Sequence, residues 1–312
     1  MPYRQAKSRA VSELHADGRA GIDADLVRRL IAAQLPQWKD LPITPVKVDG
    51  WDNRTYRLGE DLTVRLPTAA GYAPAVRKED TWLPVLAPHL PVPIPEPVAH
   101  GEPGEGYPFG WSVRRWMVGQ TASYDNITDL SPFARSMAEF IRALQQIDAT
   151  DGPKAGKHSF YRGADPAHYH DETIESLDKL DGRLDTDKAR AVWNAALGNK
   201  WTGEPVWFHG DVSNGNLLVR DGELAAVIDF GTSGVGDPAC DLVIAWTFFH
   251  TDSREAFRHA VEQDAGTWAR ARGWVLWKAL IGLAVDVDTD KERAAVNQRV
   301  IDEVLADHDT FG

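Results

Sequence analysis

Two short apolar runs separated by Asp221-Gly222 constrain this chain more than any other feature. Asn216-Leu-Leu-Val-Arg220 and Glu223-Leu-Ala-Ala-Val-Ile228 flank a dipeptide that favours a tight turn, so the segment predicts a two-residue hairpin. His209-Gly-Asp211 stands just before the first run and Asp229-Phe-Gly231 directly after the second. Closing the hairpin returns Asp229 to the neighbourhood of Asp211 and Asn216. Asp and Asn are also ordinary turn residues. Here the Asp-to-Asn spacing, the second carboxylate and the hairpin length between them coincide.

Asn216 and Asp229 are oxygen ligands suited to a hard cation, and Asp211 is a candidate base beside them. Kinase-type phosphoryl transfer uses this arrangement, with one Asp facing the substrate hydroxyl while an Asn and a second Asp hold Mg2+. Together with Gly236-Asp-Pro-Ala-Cys-Asp241, these motifs resemble the aminoglycoside phosphotransferase family. That is the small-molecule branch of the kinase-like enzymes, which also holds macrolide, choline and homoserine kinases. Protein kinases carry Arg between the His and the Asp and an Ala-Pro-Glu segment further on. Gly210 and the short Gly-Asp-Pro-x-x-Asp favour a small-molecule kinase instead. The specific motifs occupy residues 209 to 241, and the resemblance covers most of the chain in outline.

The resemblance implies an α+β, two-lobed protein-kinase-like fold. Residues 1–117 would form a small β-rich nucleotide-binding lobe and residues 118–312 a larger, mainly helical catalytic and substrate-binding lobe. It implies ATP or GTP and Mg2+ as cofactors, with Asp211 catalytic and Asn216 and Asp229 on the metal. Arg65, on the strand Leu62-Thr-Val-Arg-Leu66, takes the place where kinases carry a phosphate-gripping Lys. Glu79, on a helical segment from Val76 to Leu86, would be its ion-pair partner. Arg for Lys changes phosphate geometry, because a planar fork replaces a point charge. Lys78 is a rival, but its helical setting and its neighbour Glu79 point it to solvent. Strands at 43–49 and 55–58 flank the polar loop Gly50-Trp-Asp-Asn-Arg54, which suits a cover over phosphates as well as an ordinary hairpin turn. Asn53 in that loop is a candidate nucleotide contact. The strand from Gly110 to Val118 runs into the inter-lobe connector at Trp116 to Thr121, where Met117 and Val118 are candidate adenine contacts.

Composition narrows the partners. The chain has 312 residues, 34 Lys and Arg against 46 Asp and Glu, and a net charge of −12. Such an acidic chain repels phosphate backbones, so nucleic acid is not an expected partner. One cysteine, Cys240, excludes an intrachain disulfide and fits a reducing compartment. Met1 to Ala20 lacks the apolar core of a signal peptide. The apolar stretch Trp274 to Val285 is too short to span a bilayer and contains Lys278. A cytoplasmic protein without membrane contacts is expected; its oligomeric state is left unknown.

The remaining pattern is largely helical. Ser131-Pro132 predicts a helix start with Ser as cap, and further helices are expected over 171–180, 186–197, 253–264, 267–283 and 291–306. The prolines from Pro84 to Pro108 disfavour helix. Three near-motifs are set aside. Gly152-Pro-Lys-Ala-Gly156-Lys157 misses a phosphate loop by one residue, Asp286-x-Asp288-x-Asp290 lacks the Gly of a calcium loop, and His168-Tyr-His170 lacks further metal ligands. His209 is expected to support the loop by hydrogen bonds. Asp237 and Asp241 would buttress it or cap the next helix, with Asp237 alternatively reaching a cationic substrate.

The acceptor is expected to be a hydroxylated small molecule, with an aminoglycoside-type antibiotic first and a macrolide or amino alcohol as alternatives. A catalytically weak nucleotide-binding regulator is the contrasting reading. Trp246, Phe248, Phe249, Trp268, Trp274 and Trp277 would line an apolar cleft or fill the core. Asp171, Glu172, Glu175, Glu262 and Asp264 would suit a polycation.

Overall fold

The computed structural model describes residues 21–47, 49–50 and 52–312, so the expectation for Met1 to Ala20 lies outside them. The described residues divide into two compact units, one comprising those up to 88 together with 93–118 and the other 89–92 and 119–312.

In the first unit, helix α1 (Ala24–Gln34) is capped by Asp23, whose carboxylate accepts the Leu26 N–H at 2.7 Å. A five-stranded antiparallel sheet follows, with spatial order β1-β2-β3-β5-β4. Its strands are β1 (Ile43–Pro45), β2 (Asn53–Leu58), β3 (Leu62–Pro67), β4 (Pro97–Gly101) and β5 (Trp111–Arg115). Helix α2 (Ala73–Leu86) lies between β3 and β4 in sequence. Alternation decides the faces. Leu62, Val64 and Leu66 on β3 and Trp111 and Val113 on β5 join Leu26, Val27, Leu30 and Ile31 of α1 in one buried cluster. Each such side chain stabilises the unit by about 1.5–3 kcal/mol relative to exposure. Thr63 and Arg65 therefore point to the opposite face, as do Ser112 and Arg114, with Thr63 paired to Arg114 and Arg65 to Ser112.

Two expectations are corrected here. Helix α2 starts at Ala73 rather than Val76 and contains Pro84, because apolar burial of Leu83 and Leu86 carries the helix past the proline. The first two strands are β1, ending at Pro45, and β2, beginning at Asn53; Val48 and Trp51 lie outside the described residues. The 101–110 segment is a hairpin tip, closed by a bridge between Gly104 and Tyr107.

The second unit opens with β6 (Gln120–Thr121) and α3 (Leu130–Gln145). Asp129, not Ser131, caps α3 by accepting the Ser131 N–H at 2.9 Å, a charged acceptor at the positive end of the helix. Helices α4 (His170–Lys179) and α5 (Thr186–Gly198) precede β7 (Val206–Phe208). Strands β8 (Leu217–Arg220) and β9 (Glu223–Val227) extend β6 into a three-stranded sheet, and β10 (Gly234–Gly236) pairs with β7. Helices α6 (Ile244–Thr247), α7 (Thr251–Val261), α8 (Ala265–Asp286) and α9 (Lys291–Phe311) complete the unit. Helix α8 is buried almost all round, from Thr267 to Leu283. Among the described residues, no helix is long and apolar enough to cross a membrane.

Candidate active site

The hairpin forms as its sequence demands. Arg220 pairs with Glu223, and both turn residues are left-handed, Asp221 at φ 55° and Gly222 at φ 84°. A Cβ on Gly222 would sit 1.8 Å from the Thr128 hydroxyl, so glycine is required twice over, by φ and by space. The register shifts between Leu218 and Val219, a bulge next to the loop that carries Asp211.

The loop itself is fixed through its backbone. Buried Asp241 accepts the N–H groups of His209 and Gly210, each at 2.7 Å. The Asp211 N–H donates to His209 Nδ1 at 3.2 Å, which leaves the ring proton on Nε2 to donate to the Ile228 carbonyl at 3.0 Å. The Ile228 N–H in turn donates to the Asn216 carbonyl at 2.8 Å. His209 thereby ties the loop to the residue preceding Asp229, the supporting position expected of it. Gly210 has φ 83°, and a Cβ there would approach the Thr232 carbonyl to 2.9 Å; that crowding, with the backbone conformation, disfavours a side chain between the His and the Asp.

Asp211 and Asn216 meet. The Asn216 amide nitrogen donates to both the Asp211 carbonyl at 2.8 Å and its Oδ2 at 3.0 Å. Two cations that sequence reasoning missed face the same carboxylate. Lys278 Nζ from α8 lies 3.4 Å from Asp211 Oδ1, and the Arg162 guanidinium acts on it as well. Burial pushes the Asp211 carboxyl up. Lys278 and Arg162, with the hydrogen bond from Asn216, overcome this and hold it at about 2. Asp211 is ionised at neutral pH. Its side chain remains 37% exposed, so solvent also screens the Lys278 pair.

Asp229 follows Ile228 with a left-handed backbone, φ 67° and ψ 68°, a conformation Asp tolerates better than most residues. Among the described residues, no group of three or more His, Cys, Asp or Glu side chains is placed to hold a metal ion. A carboxylate with one amide oxygen fits Mg2+ rather than a softer metal, since Mg2+ keeps waters and takes phosphate oxygens for its remaining positions. With its nitrogen turned to Asp211, Asn216 keeps Oδ1 for such a role.

In the first unit, Arg65 Nη1 and Glu79 Oε1 are 3.6 Å apart, so the expected pair is in contact. Its closer member is another residue. Arg114 grips Glu79 with both forks, at 3.0 and 3.0 Å, and both side chains are buried. Burial pushes the Glu79 carboxyl up, but Arg114 and then Arg65 outweigh it and bring it to about 2. Arg114 lies at the strand position whose neighbours Trp111 and Val113 face the core, and its own face lies towards α2. Lys78, expected to face solvent, is half-buried. Asn53 begins β2 opposite Pro67, and Asp49 ties down the loop before it by accepting from the Gly50 and Thr55 N–H groups, each at 3.1 Å. Strand β5 ends at Arg115, so Met117 is outside the expected strand, half-buried, and Val118 is 61% exposed.

The alternative role of Asp237 is corrected. Its carboxylate is buried, caps the turn at Ala239, and is held by the forked Arg270 guanidinium at 2.6 and 3.0 Å. The named aromatics of α6, α8 and the intervening segment are buried and fill the core. His170 accepts from the Trp193 indole and His168 stacks on Tyr161, which accounts for both histidines without metal.

The sequence and this geometry place the chain in a class. It belongs to the phosphotransferase enzyme family, whose model matches residues 42–274. The wild-type aminoglycoside 2′-phosphotransferase-IIIa in its GDP complex is similar at a TM-score of 0.65 and 17% identity, over 90% of this chain and 98% of that one. The gentamicin complex of APH(2″)-IIa gives 0.61 and 18%, over 92% and 97%. Macrolide 2′-phosphotransferase MphH from Brachybacterium faecium gives 0.57 and 21%, over 88% and 97%. These likenesses show the two-lobed kinase-like fold. No curated protein gives a significant match.

Proposed function

We propose that this phosphotransferase moves the γ-phosphate of ATP or GTP to a hydroxyl of a small molecule. One observation carries the reading: an ionised Asp211 held by Asn216 within a loop whose peptide groups are fixed by Asp241 and His209. Mg2+, held by Asn216 and Asp229, would neutralise charge on the transferring phosphate. Asp211 orients the acceptor hydroxyl and takes its proton as the new O–P bond forms and the bond to the nucleotide oxygen breaks. A carboxyl at about 2 is a weak base, so it accepts that proton late; this suits a loose transition state in which positioning and electrostatics dominate. On the nucleotide side, Arg65, with Glu79 behind it, and Asn53 serve the phosphates, while Met117 and Val118 serve the adenine. Similar proteins include gentamicin and kanamycin complexes of aminoglycoside phosphotransferases and macrolide phosphotransferases, so aminoglycosides and macrolides belong in the acceptor panel.

The test is Mg2+-dependent nucleotide consumption across aminoglycosides, macrolides and amino alcohols, with Asp211→Ala as control. Turnover lost in the variant, with nucleotide still bound, supports the assignment. Undiminished turnover in Asp211→Ala refutes the role of that residue. A regulator without catalysis would bind nucleotide and show no Asp211-dependent turnover.

A further inference from the structure

The charges nearest Asp211 are of the wrong sign for a polycationic acceptor. Carboxylates that the sequence offers for an acidic cleft are tied up in structural contacts. Asp264 caps α8, accepting from the Thr267 N–H at 2.9 Å and its hydroxyl at 2.8 Å. Glu262 pairs with Arg142 at 2.9 Å, and Glu172 accepts the Trp277 indole N–H at 2.8 Å. Asp171 and Glu175 occupy exposed positions of α4. Against Asp211 stand Lys278 and Arg162 instead.

Lys278 is unusual for its helix. From Thr267 to Leu280 every other residue of α8 is buried, whereas the Lys278 side chain is 56% exposed and reaches Asp211 Oδ1 at 3.4 Å. That distance is long for a closed ion pair, and no other carboxylate pairs with Lys278 among the described residues. Two cations therefore share the Asp211 carboxylate, and the exposed Lys278 ammonium keeps donor positions for an anionic group that an acceptor carries close to its reacting hydroxyl. An ammonium brought to the same place would meet Lys278 and Arg162 as like charges.

We propose that the acceptor is a hydroxyl compound carrying a carboxylate or phosphate near the reacting hydroxyl, with Lys278 as the residue that selects it. The inference rests on the assignment of Asp211 as the residue facing that hydroxyl. It sets polycationic amino sugars apart as poor acceptors.

The test uses the full chain with Mg-ATP and Mg-GTP against acceptors that share one frame and differ in charge: glucose, glucosamine, gluconate and glucose phosphate, with glycerate and gentamicin added. Acceptor binding is followed calorimetrically and phosphoester formation by mass spectrometry. The expected result is binding and turnover of anionic members ahead of glucose, with glucosamine and gentamicin last; gluconate against glucose phosphate tells carboxylate from phosphate selection. Lys278→Gln should raise KM for the anionic acceptor about 10- to 100-fold, the loss expected for one charge-assisted contact, with kcat changed far less. Lys278→Arg should restore most of it. Gentamicin or glucosamine turned over as well as the anionic compounds would overturn the proposal, as would an unchanged KM in Lys278→Gln. Silence with every acceptor while Mg-nucleotide binds also overturns it. Failure to bind nucleotide would instead overturn the kinase assignment beneath it.

Discussion

Replacing Arg114 with Leu tests whether the Glu79 pair is an energetic centre of the first unit. The substitution leaves the Glu79 carboxylate, 3% exposed, with Arg65 at 3.6 Å beside it, and removes the hydrogen bond from Arg114 to Ser112. Glu79 sits at about 2, against an ordinary value of 4.5. That difference corresponds to roughly 3 kcal/mol favouring the ionised form in the folded state. Breaking one side of a buried pair costs about 3–5 kcal/mol, so the two routes agree. The sign with pH follows from the lowered folded value. The stabilisation is complete above 4.5 and is lost as pH falls through about 2. By pH ~3 roughly 2 kcal/mol of it should be gone from the wild type. Urea unfolding at neutral and acid pH, together with hydrogen exchange of the β3 and β5 amides, measures this even where the whole chain does not unfold in one step. A wild-type-to-variant difference below about 1 kcal/mol at pH ~7 would refute the reasoning, because it is less than a neutral hydrogen bond is worth. So would a difference that fails to narrow on acidification.

Three further outcomes are expected. Asp241→Asn replaces a double acceptor with one acceptor and one donor facing the His209 and Gly210 N–H groups, so kcat should fall about 100-fold through displacement of Asp211, with nucleotide affinity little changed in a titration. Gly222→Ala places a methyl against Thr128 in a left-handed turn; destabilisation of at least about 1 kcal/mol by denaturant melt is expected, and a neutral result would mean the hairpin relaxes freely. Arg65→Ala should weaken Mg-nucleotide binding about 10-fold or more, the loss expected for a charge-assisted contact; unchanged affinity by calorimetry would leave Arg65 a structural partner of Glu79 alone.

The hairpin and the Asp211–Asn216 contact were legible in sequence because both are local. Asp221-Gly222 states its own backbone angles, and five residues separate the carboxylate from the amide that holds it. The same holds for Asp290, which caps α9 at the end of the false calcium loop. Arg114 and Lys278 were not legible. Arg114 is 35 residues from Glu79 and reads as one of two adjacent charges at a strand end; the register of β3 with β5 shows that it is the one facing α2. Lys278 is 67 residues from Asp211 within an apolar helix, where a single lysine reads as an interruption. The aromatics of α8 left cleft and core both open in sequence, since a helix buried on every side offers no face to distinguish them, and the structure places them in the core. An alternation count over Trp111-Ser-Val-Arg-Arg115 would have separated Arg114 from Arg115, and that is the signal to use in similar chains.

The burial of α8 has a consequence for how this protein can change over time. Between Thr267 and Leu280 nearly every position is committed to packing, so most substitutions there trade stability for nothing. Lys278 alone is released from that constraint while sitting beside the reacting group. Adaptation to a new acceptor through this helix would therefore run through one codon, and laboratory evolution that randomises α8 should return survivors altered at that position and almost nowhere else.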